Sequence, residues 1–231
     1  MDEPEGAGPV TFAIVTPSRG LVHSRTVEAV MANLRHAPRK AFRGWYFTHD
    51  LPIPECDEQV AERALSAGVD ALWFVEEDVI PPAVALAVSL HMLDDFDIVA
   101  VDYPVGSIDQ KWGCLVRDDE GDILWCGLGC TLIRREVFDR LDRPWFTSDW
   151  RYVKRGDRWE RVAVEPDAPR WGQQDIHFCM EARRAGFRIG QVGGLTAHHA
   201  SVEAMGKPGE NAGWHSVQLR TTIEKQWPGP E

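Results

Sequence analysis

The sequence predicts an α/β fold built on a largely parallel sheet covered by helices. Three observations point there. Short apolar runs alternate along the chain with stretches of helical period. The runs are continuous rather than alternating, as expected of strands buried on both faces. Several end abruptly on turn-forming or acidic residues: Val10 to Thr16 on Pro17-Ser18-Arg19-Gly20, Ala71 to Val75 on Glu76-Glu77-Asp78, and Ile98 to Val101 on Asp102-Tyr103-Pro104. The chain has 231 residues, 44% of them hydrophobic and 26% charged. That suits one domain, or one domain with an appendage, with a core that needs no staples.

The elements follow in order. After the first strand, Thr26 to Leu34 carries Val27, Val30, Met31 and Leu34 at i, i+3, i+4 and i+7, a helical stripe. Trp45 to Thr48 is the second strand, ending at His49-Asp50. Glu58 to Ala67 is a helix stopped by Gly68. The strand Ala71 to Val75 leads to a helix opened by Pro81-Pro82, since proline suits a first helical turn, and closing near Leu93. The second half is more mixed. Gly113 to Val116 and Ile123 to Trp125 form a hairpin, and Cys130 to Ile133 a strand. Arg135 to Leu141 is a short helix, and a long excursion follows with a hairpin around Arg155-Gly156-Asp157. Gln174 to Ala185 is a helix closed by Gly186, and Arg188 to Val192 the last core strand. Residues 1–9 read as a disordered lead, 10–200 as the main domain and 201–231 as a polar tail or lid.

Composition narrows the function classes. The five cysteines are odd in number and contain no CxxC pair, which disfavours a disulfide framework or a zinc knuckle and suits reduced thiols in a cytoplasm. No apolar run reaches the ~18 residues of a membrane helix, and the acidic, Gly/Pro-rich start does not resemble a signal peptide. The net charge of −11 argues against a general polyanion binder. Charge is uneven, however: Arg134 to Arg161 holds nine basic and six acidic side chains, leaving −14 for the rest of the chain.

Three features carry chemistry. Glu76-Glu77-Asp78 ends a buried strand, at the sheet edge where α/β folds place ligands. Adjacent carboxylates there repel unless a cation lies among them, and hard divalent cations with phosphate oxygens suit such a cluster. Asp175 follows Gly172-Gln173-Gln174 near a helix start, where the dipole favours a carboxylate. His198-His199 follows a strand and a Gly-rich turn, and imidazole is a common metal ligand. Each also has a plainer reading: a solvated acidic turn, a first-turn acid, an incidental histidine pair.

Taken in order, these features resemble the GT-A nucleotide-sugar glycosyltransferases, particularly small inverting members from bacteria and phages. The Thr-Pro-x-Arg loop after the first strand contributes, as do the acidic triplet, the helix-start Asp and the final His. The most specific stretch is Gly127-Leu128-Gly129-Cys130-Thr131-Leu132-Ile133-Arg134-Arg135-Glu136-Val137-Phe138, followed by Pro144-Trp145-Phe146. The resemblance covers Val10 to His199.

It implies roles for particular residues. Glu76-Glu77-Asp78 aligns with the DxD motif: Asp78 binds a divalent metal (Mn²⁺ or Mg²⁺) that bridges the donor diphosphate. Glu76, longer than the usual aspartate, holds the ribose or reaches the metal through water. Glu77 belongs to the same donor-binding edge. One of His198 and His199 completes the metal sphere, His198 being the assignment. Asp175 is the catalytic base. Thr16 and Pro17 wrap the nucleotide, Arg19 or Arg25 meets the diphosphate, and Asp50 accepts from a uracil-like base, so a UDP-sugar is the favoured donor. Gly129, Trp145 and Trp171 lie on the acceptor side, where the acceptor is a glycan, a protein, a small molecule or a modified DNA base. A nucleotidyltransferase, the main alternative, calls for a Gly-rich, Lys-containing first loop, whereas this one has Arg19 and a single Gly20. An inactive nucleotide-sugar-binding module is the third reading.

Overall fold

The computed structural model describes residues 8–18, 20–49, 51–105, 112–156, 158–165, 173–205 and 213–220. In chain order the elements begin with β1 (Phe12–Thr16), α1 (Ser24–Leu34), β2 (Phe42–Phe47), α2 (Glu55–Leu65), β3 (Ala71–Val75), β4 (Val79–Ile80) and α3 (Ala85–Met92). Next come β5 (Ile98–Asp102), β6 (Pro104–Val105), β7 (Trp112–Gly113), β8 (Val116–Arg117), β9 (Ile123–Trp125), β10 (Cys130–Arg134) and α4 (Arg135–Arg140). The chain then runs through β11 (Trp150–Arg155), β12 (Arg158–Ala163), α5 (Gln174–Arg184), β13 (Ile189–Thr196), β14 (His198–Met205) and β15 (Gly213–Arg220).

The central sheet has six strands in the order β13-β5-β10-β3-β1-β2. All neighbours are parallel except β10, which runs antiparallel between β3 and β5. Every residue of β1 and of β3 is buried, which is why both read as unbroken apolar runs. An aromatic cluster seats α4 and α5 on this sheet: Phe74 of β3 meets Phe146 at 5.7 Å, and Phe178 of α5 meets Phe146 at 5.0 Å and Phe138 at 5.3 Å. It holds the start of α5 beside the end of β3.

Three expectations give way to tertiary contacts. In α1 the buried residues are Thr26, Val30 and Asn33, while Val27 and Met31 are 37% and 51% exposed. Asn33 donates to the Pro82 carbonyl and accepts from Leu86 N–H, at 2.8 and 2.9 Å. These polar bonds turn the helix away from its apolar stripe. Second, α3 starts at Ala85 and not at Pro81, because Val79–Ile80 is drawn into pairing with His198–His199. Third, the expected polar tail continues as the antiparallel hairpin of β14 and β15. Residues 1–7, 206–212 and 221–231 lie outside the described residues. All five cysteines are free and buried. No helix among the described residues is long and apolar enough to cross a membrane.

Asp70 ties the starts of β1 and β3 together. Its Oδ2 accepts from Thr11 N–H at 2.8 Å and Thr11 Oγ1 at 2.6 Å. These bonds, the hydroxyl's first, hold its carboxyl below the usual carboxylate range. A depressed pKa adds stability above the unfolded value, and that stability disappears as pH falls through the folded one. Asp70→Asn is therefore expected to lower Tm at pH 7 by about 2–4 °C, the size of one such bond in a chain this long. In thermal melts the difference closes as the pH drops below about 4. A gap that persists unchanged in acid would contradict the charge-assisted bond.

Candidate active site

The acidic triplet emerges from β3 at the sheet edge, and its three side chains diverge. Glu77 turns back to the loop after β1, where its Oε2 accepts from Ser18 Oγ at 2.9 Å, and its carbonyl accepts from His23 N–H at 2.8 Å. Ser18, 3% exposed, also receives Gly20 N–H on its hydroxyl at 3.0 Å. Glu77 therefore shapes the first loop. Thr16 is fully buried and its hydroxyl accepts from Trp45 Nε1 at 2.8 Å. Pro17 is buried beside it, and Arg25 stands exposed in the first turn of α1.

Asp78 turns toward β14. Its carbonyl accepts from Ala200 N–H at 2.8 Å, and its Oδ2 lies 3.3 Å from His199 Nε2. The pairing of Val79 with His199 sets this register. Strand side chains alternate faces, so His199 points to Asp78 and His198 points outward, exposed. The assignment of His198 is corrected on that ground: the imidazole at the site is His199. Its Nδ1 lies 3.1 Å from the Pro104 carbonyl. A carbonyl only accepts, so Nδ1 carries a proton and Nε2 is the nitrogen left to face Asp78. A histidine oriented in this way by a backbone carbonyl is poised to bind a metal. Burial works against the charged imidazole, but Asp78 outweighs it and raises the His199 pKa.

Glu76 turns inward, its N–H bonded to the Gly129 carbonyl at 3.2 Å. Burial, then Asp78 and Asp57, push its carboxyl up to about 8. Asp57, in the first turn of α2, is 2% exposed and also stands at about 8, through burial and then the charge of Asp175. Its Oδ2 has no hydrogen-bond partner. Asp175 is raised by burial to about 6. The chain enters α5 through Gln173, whose φ of 68° is left-handed and uncommon for a residue with a side chain. Carboxylates carried by α2, the end of β3 and α5 thus bear on one another through their charge, with His199 as the cationic group beside Asp78. That mutual repulsion, the unpartnered Asp57 oxygen and the aimed Nε2 fit a divalent cation held by Asp78 and His199.

Neither a protein-family model nor a curated protein sequence matches the chain. Solved structures do. A197 from STIV aligns over 96% of this chain and 98% of its own, with a TM-score of 0.57 and 17% identity. GalNAc-T7, solved with UDP, GalNAc and Mn²⁺, aligns over 83% of this chain and 44% of its own, with a TM-score of 0.53 and 11% identity. The fold is GT-A-like. At these identities the likeness is one of fold, and this chain spans less than half the length of the GalNAc-T7 chain.

Within this GT-A frame, the remaining expected residues separate. Arg19, Asp50 and Trp171 lie outside the described residues. Gly129 is beside Glu76, but the space above it belongs to Tyr103: a Cβ there would come within 2.7 Å of the ring, and Gly129 N–H donates to Tyr103 Oη at 2.9 Å. The missing side chain makes room for the buried Tyr103 ring and for Val79. Trp145 is 9% exposed, donates from Nε1 to the Phe138 carbonyl at 3.0 Å and carries Arg143 over its ring at 4.6 Å. It borders a cavity of about 470 Å³ shared with Trp150, Arg161, His177, Glu181 and Arg184. His177 is two positions after Asp175, about 200° around the helix. Trp145 and Asp175 are thus on different faces of α5, which counts against Trp145 as an acceptor contact.

Among the described residues, three ligand atoms within 4.8 Å of one another occur only at Asp118, Glu120 and Asp122. The Glu76–Asp78–His199 set is less tight. The Asp118 group closes the β8–β9 turn, where Asp118 Oδ1 accepts from Glu120 and Asp122 N–H and Oδ2 pairs with Arg183 at 3.2 Å. It adjoins the far end of α5, about 12 Å along the axis from Asp175. Sequence reasoning missed Asp57, Tyr103 and Ser18. For Asp57 a signal existed: Asp57, Val60, Ala61 and Ala64 are all buried at i, i+3, i+4 and i+7, which places a carboxylate on an apolar stripe.

Proposed function

We propose that the chain is a metal-dependent glycosyltransferase that moves a sugar from a nucleoside diphosphate to an acceptor hydroxyl with inversion. One observation carries this reading: at the end of β3 the Asp78 carboxylate lies 3.3 Å from Nε2 of His199, whose other nitrogen is held by the Pro104 carbonyl, and further carboxylates from α2 and α5 bear on the adjoining Glu76. The GT-A-like fold supports it, as does the presence of UDP, GalNAc and Mn²⁺ in the structure of GalNAc-T7.

Transfer breaks the anomeric bond and leaves a nucleoside diphosphate. Asp78 and His199 would hold a divalent cation, whose chemistry there would be to offset the charge that grows on that leaving group. Glu77 and Ser18 hold the first loop in the shape that receives the nucleotide. Asp175, on a separate element, takes the proton of the attacking hydroxyl. Attack from the side opposite the diphosphate inverts the anomeric carbon. Part of the basic stretch that a DNA acceptor would use is engaged internally: Arg143 with Glu58 and Glu62, Arg155 with Glu160, Arg161 with Glu181. That favours a glycan, protein or small-molecule acceptor over duplex DNA.

A thermal-shift screen of UDP, GDP, ADP and TDP, each with and without Mn²⁺, tests the reading. One nucleotide is expected to raise Tm only when Mn²⁺ is present, by RT ln(1 + [L]/Kd) in free energy. Silence across the panel would overturn it. Metal-dependent hydrolysis of the matching nucleotide sugar separates an enzyme from an inactive binding module.

A further inference from the structure

We propose that Tyr103 is a positioning residue of the metal site: its ring seats the His199 imidazole so that Nε2 stays turned to Asp78. The inference rests on the metal-dependent reading above and deepens it. The two rings meet in a T-shaped contact, their centroids 5.9 Å apart and their planes at 74°, a favoured geometry for an aromatic pair. The next residue supplies a second restraint, since the Pro104 carbonyl lies 3.1 Å from His199 Nδ1. One hydrogen bond leaves an imidazole free to pivot about it, and a ring packed steeply against it removes that freedom. The backbone brings the two segments together. Thr196 is in register with Asp102, and Ala197 N–H donates to the Asp102 carbonyl at 2.8 Å.

A seat must itself be fixed, and Tyr103 is held at both ends. It is 3% exposed. Its carbonyl accepts from Cys114 N–H at 3.0 Å, and its Oη accepts from Gly129 N–H at 2.9 Å. The phenol end is also enclosed: a Cβ at Gly127 would overlap Oη, and one at Gly129 would come within 2.7 Å of it. Both glycines of the Gly-Leu-Gly stretch thus make room for this one side chain. Gly129 in turn accepts Glu76 N–H at 3.2 Å. The same phenol therefore joins the two sides of the site, the end of β3 through Gly129 and β14 through His199. Groups that orient a metal-bound histidine in this way act on affinity without touching the metal.

The test is calorimetry on the full chain, with the diphosphate that the thermal-shift panel selects from UDP, GDP, ADP and TDP, titrated with and without Mn²⁺. The readout is the gain in affinity that Mn²⁺ confers. Tyr103→Phe keeps the ring and loses only the Gly129 bond, so its Tm should fall by a few degrees while the gain stays within about twofold of the wild type. Tyr103→Leu also loses the ring, and its gain should drop by about tenfold or more, the scale seen when a support of a metal ligand is removed. In a His199→Ala background the two substitutions should give gains within about twofold of each other, because the ring has no imidazole left to act through. An undiminished gain in Tyr103→Leu, an equal loss in Tyr103→Phe, or a further loss in the His199→Ala background would each overturn the proposal. Should Tyr103→Leu not fold, nuclear Overhauser contacts between the Tyr103 and His199 rings of the wild type decide it: they are expected, and their absence would overturn the seat. A panel in which no diphosphate responds to Mn²⁺ overturns the glycosyltransferase reading itself, whereas a full wild-type gain that Tyr103→Leu leaves intact overturns only the role of Tyr103.

Discussion

Asp78→Ala is expected to remove the Mn²⁺-dependent part of nucleotide binding, weakening UDP by about 100-fold or more in calorimetry. Loss of a residue that merely supports a metal ligand already costs about 10–100-fold, and Asp78 is assigned to the cation directly. The variant should fold, because the side chain is 26% exposed and pairs, among the described residues, with the His199 ring. Two companion variants make the result specific. His199→Ala should weaken Mn²⁺-dependent binding in the same direction, while His198→Ala, which alters an exposed side chain, should leave it within about twofold, as surface changes usually do. Unchanged UDP affinity in Asp78→Ala, or a larger effect at His198 than at His199, would remove the metal assignment.

Asp175→Asn is expected to leave Mn²⁺-dependent donor binding intact and to lower transfer by about 10²–10⁴, the usual contribution of a positioned base. Asparagine keeps the shape and can still take the helix-start position, so the loss reports the proton-accepting oxygen. The pH profile offers a second check. Burial lifts the Asp175 carboxyl to about 6, and a base works only when ionised. Transfer should therefore rise with pH through about 6 and level above it. A cation bound nearby favours the carboxylate and moves that limb to lower pH. Near-normal transfer by the variant, or a retained anomeric configuration in the product, would remove Asp175 from this role.

Much of the site was legible, but unevenly. Glu76-Glu77-Asp78 stood out because three carboxylates end an apolar strand, and that contrast is local. Their division of labour was not local. Glu77 is claimed by Ser18, fifty-nine positions earlier, and Asp78 by His199 at the other end of the domain. The choice between His198 and His199 depends on which residue pairs with Val79, and adjacent strand positions differ by a flip of face. Asp57 was hidden by its own plausibility: an acid in the first turn of a helix is favoured there in any case, and Glu55 and Glu58 beside it conform to that rule. Gly129 misled in the opposite sense. Its lack of a side chain is needed by Tyr103, a contact between two strand ends that no short-range pattern records.

What the sequence alone determined about this protein is its layered α/β class, the place of β1, β3, β5 and α5, and the sheet edge at which chemistry would gather. Those follow from periodicity and from runs of apolar residues, which act over a few neighbours. Only the tertiary structure decided which face of α1 is buried, where α3 begins, and which imidazole meets Asp78. It also brought Asp57 into the carboxylate group. Each of these depends on a pairing between segments far apart in the chain, where one hydrogen bond or one step of register outweighs local preference.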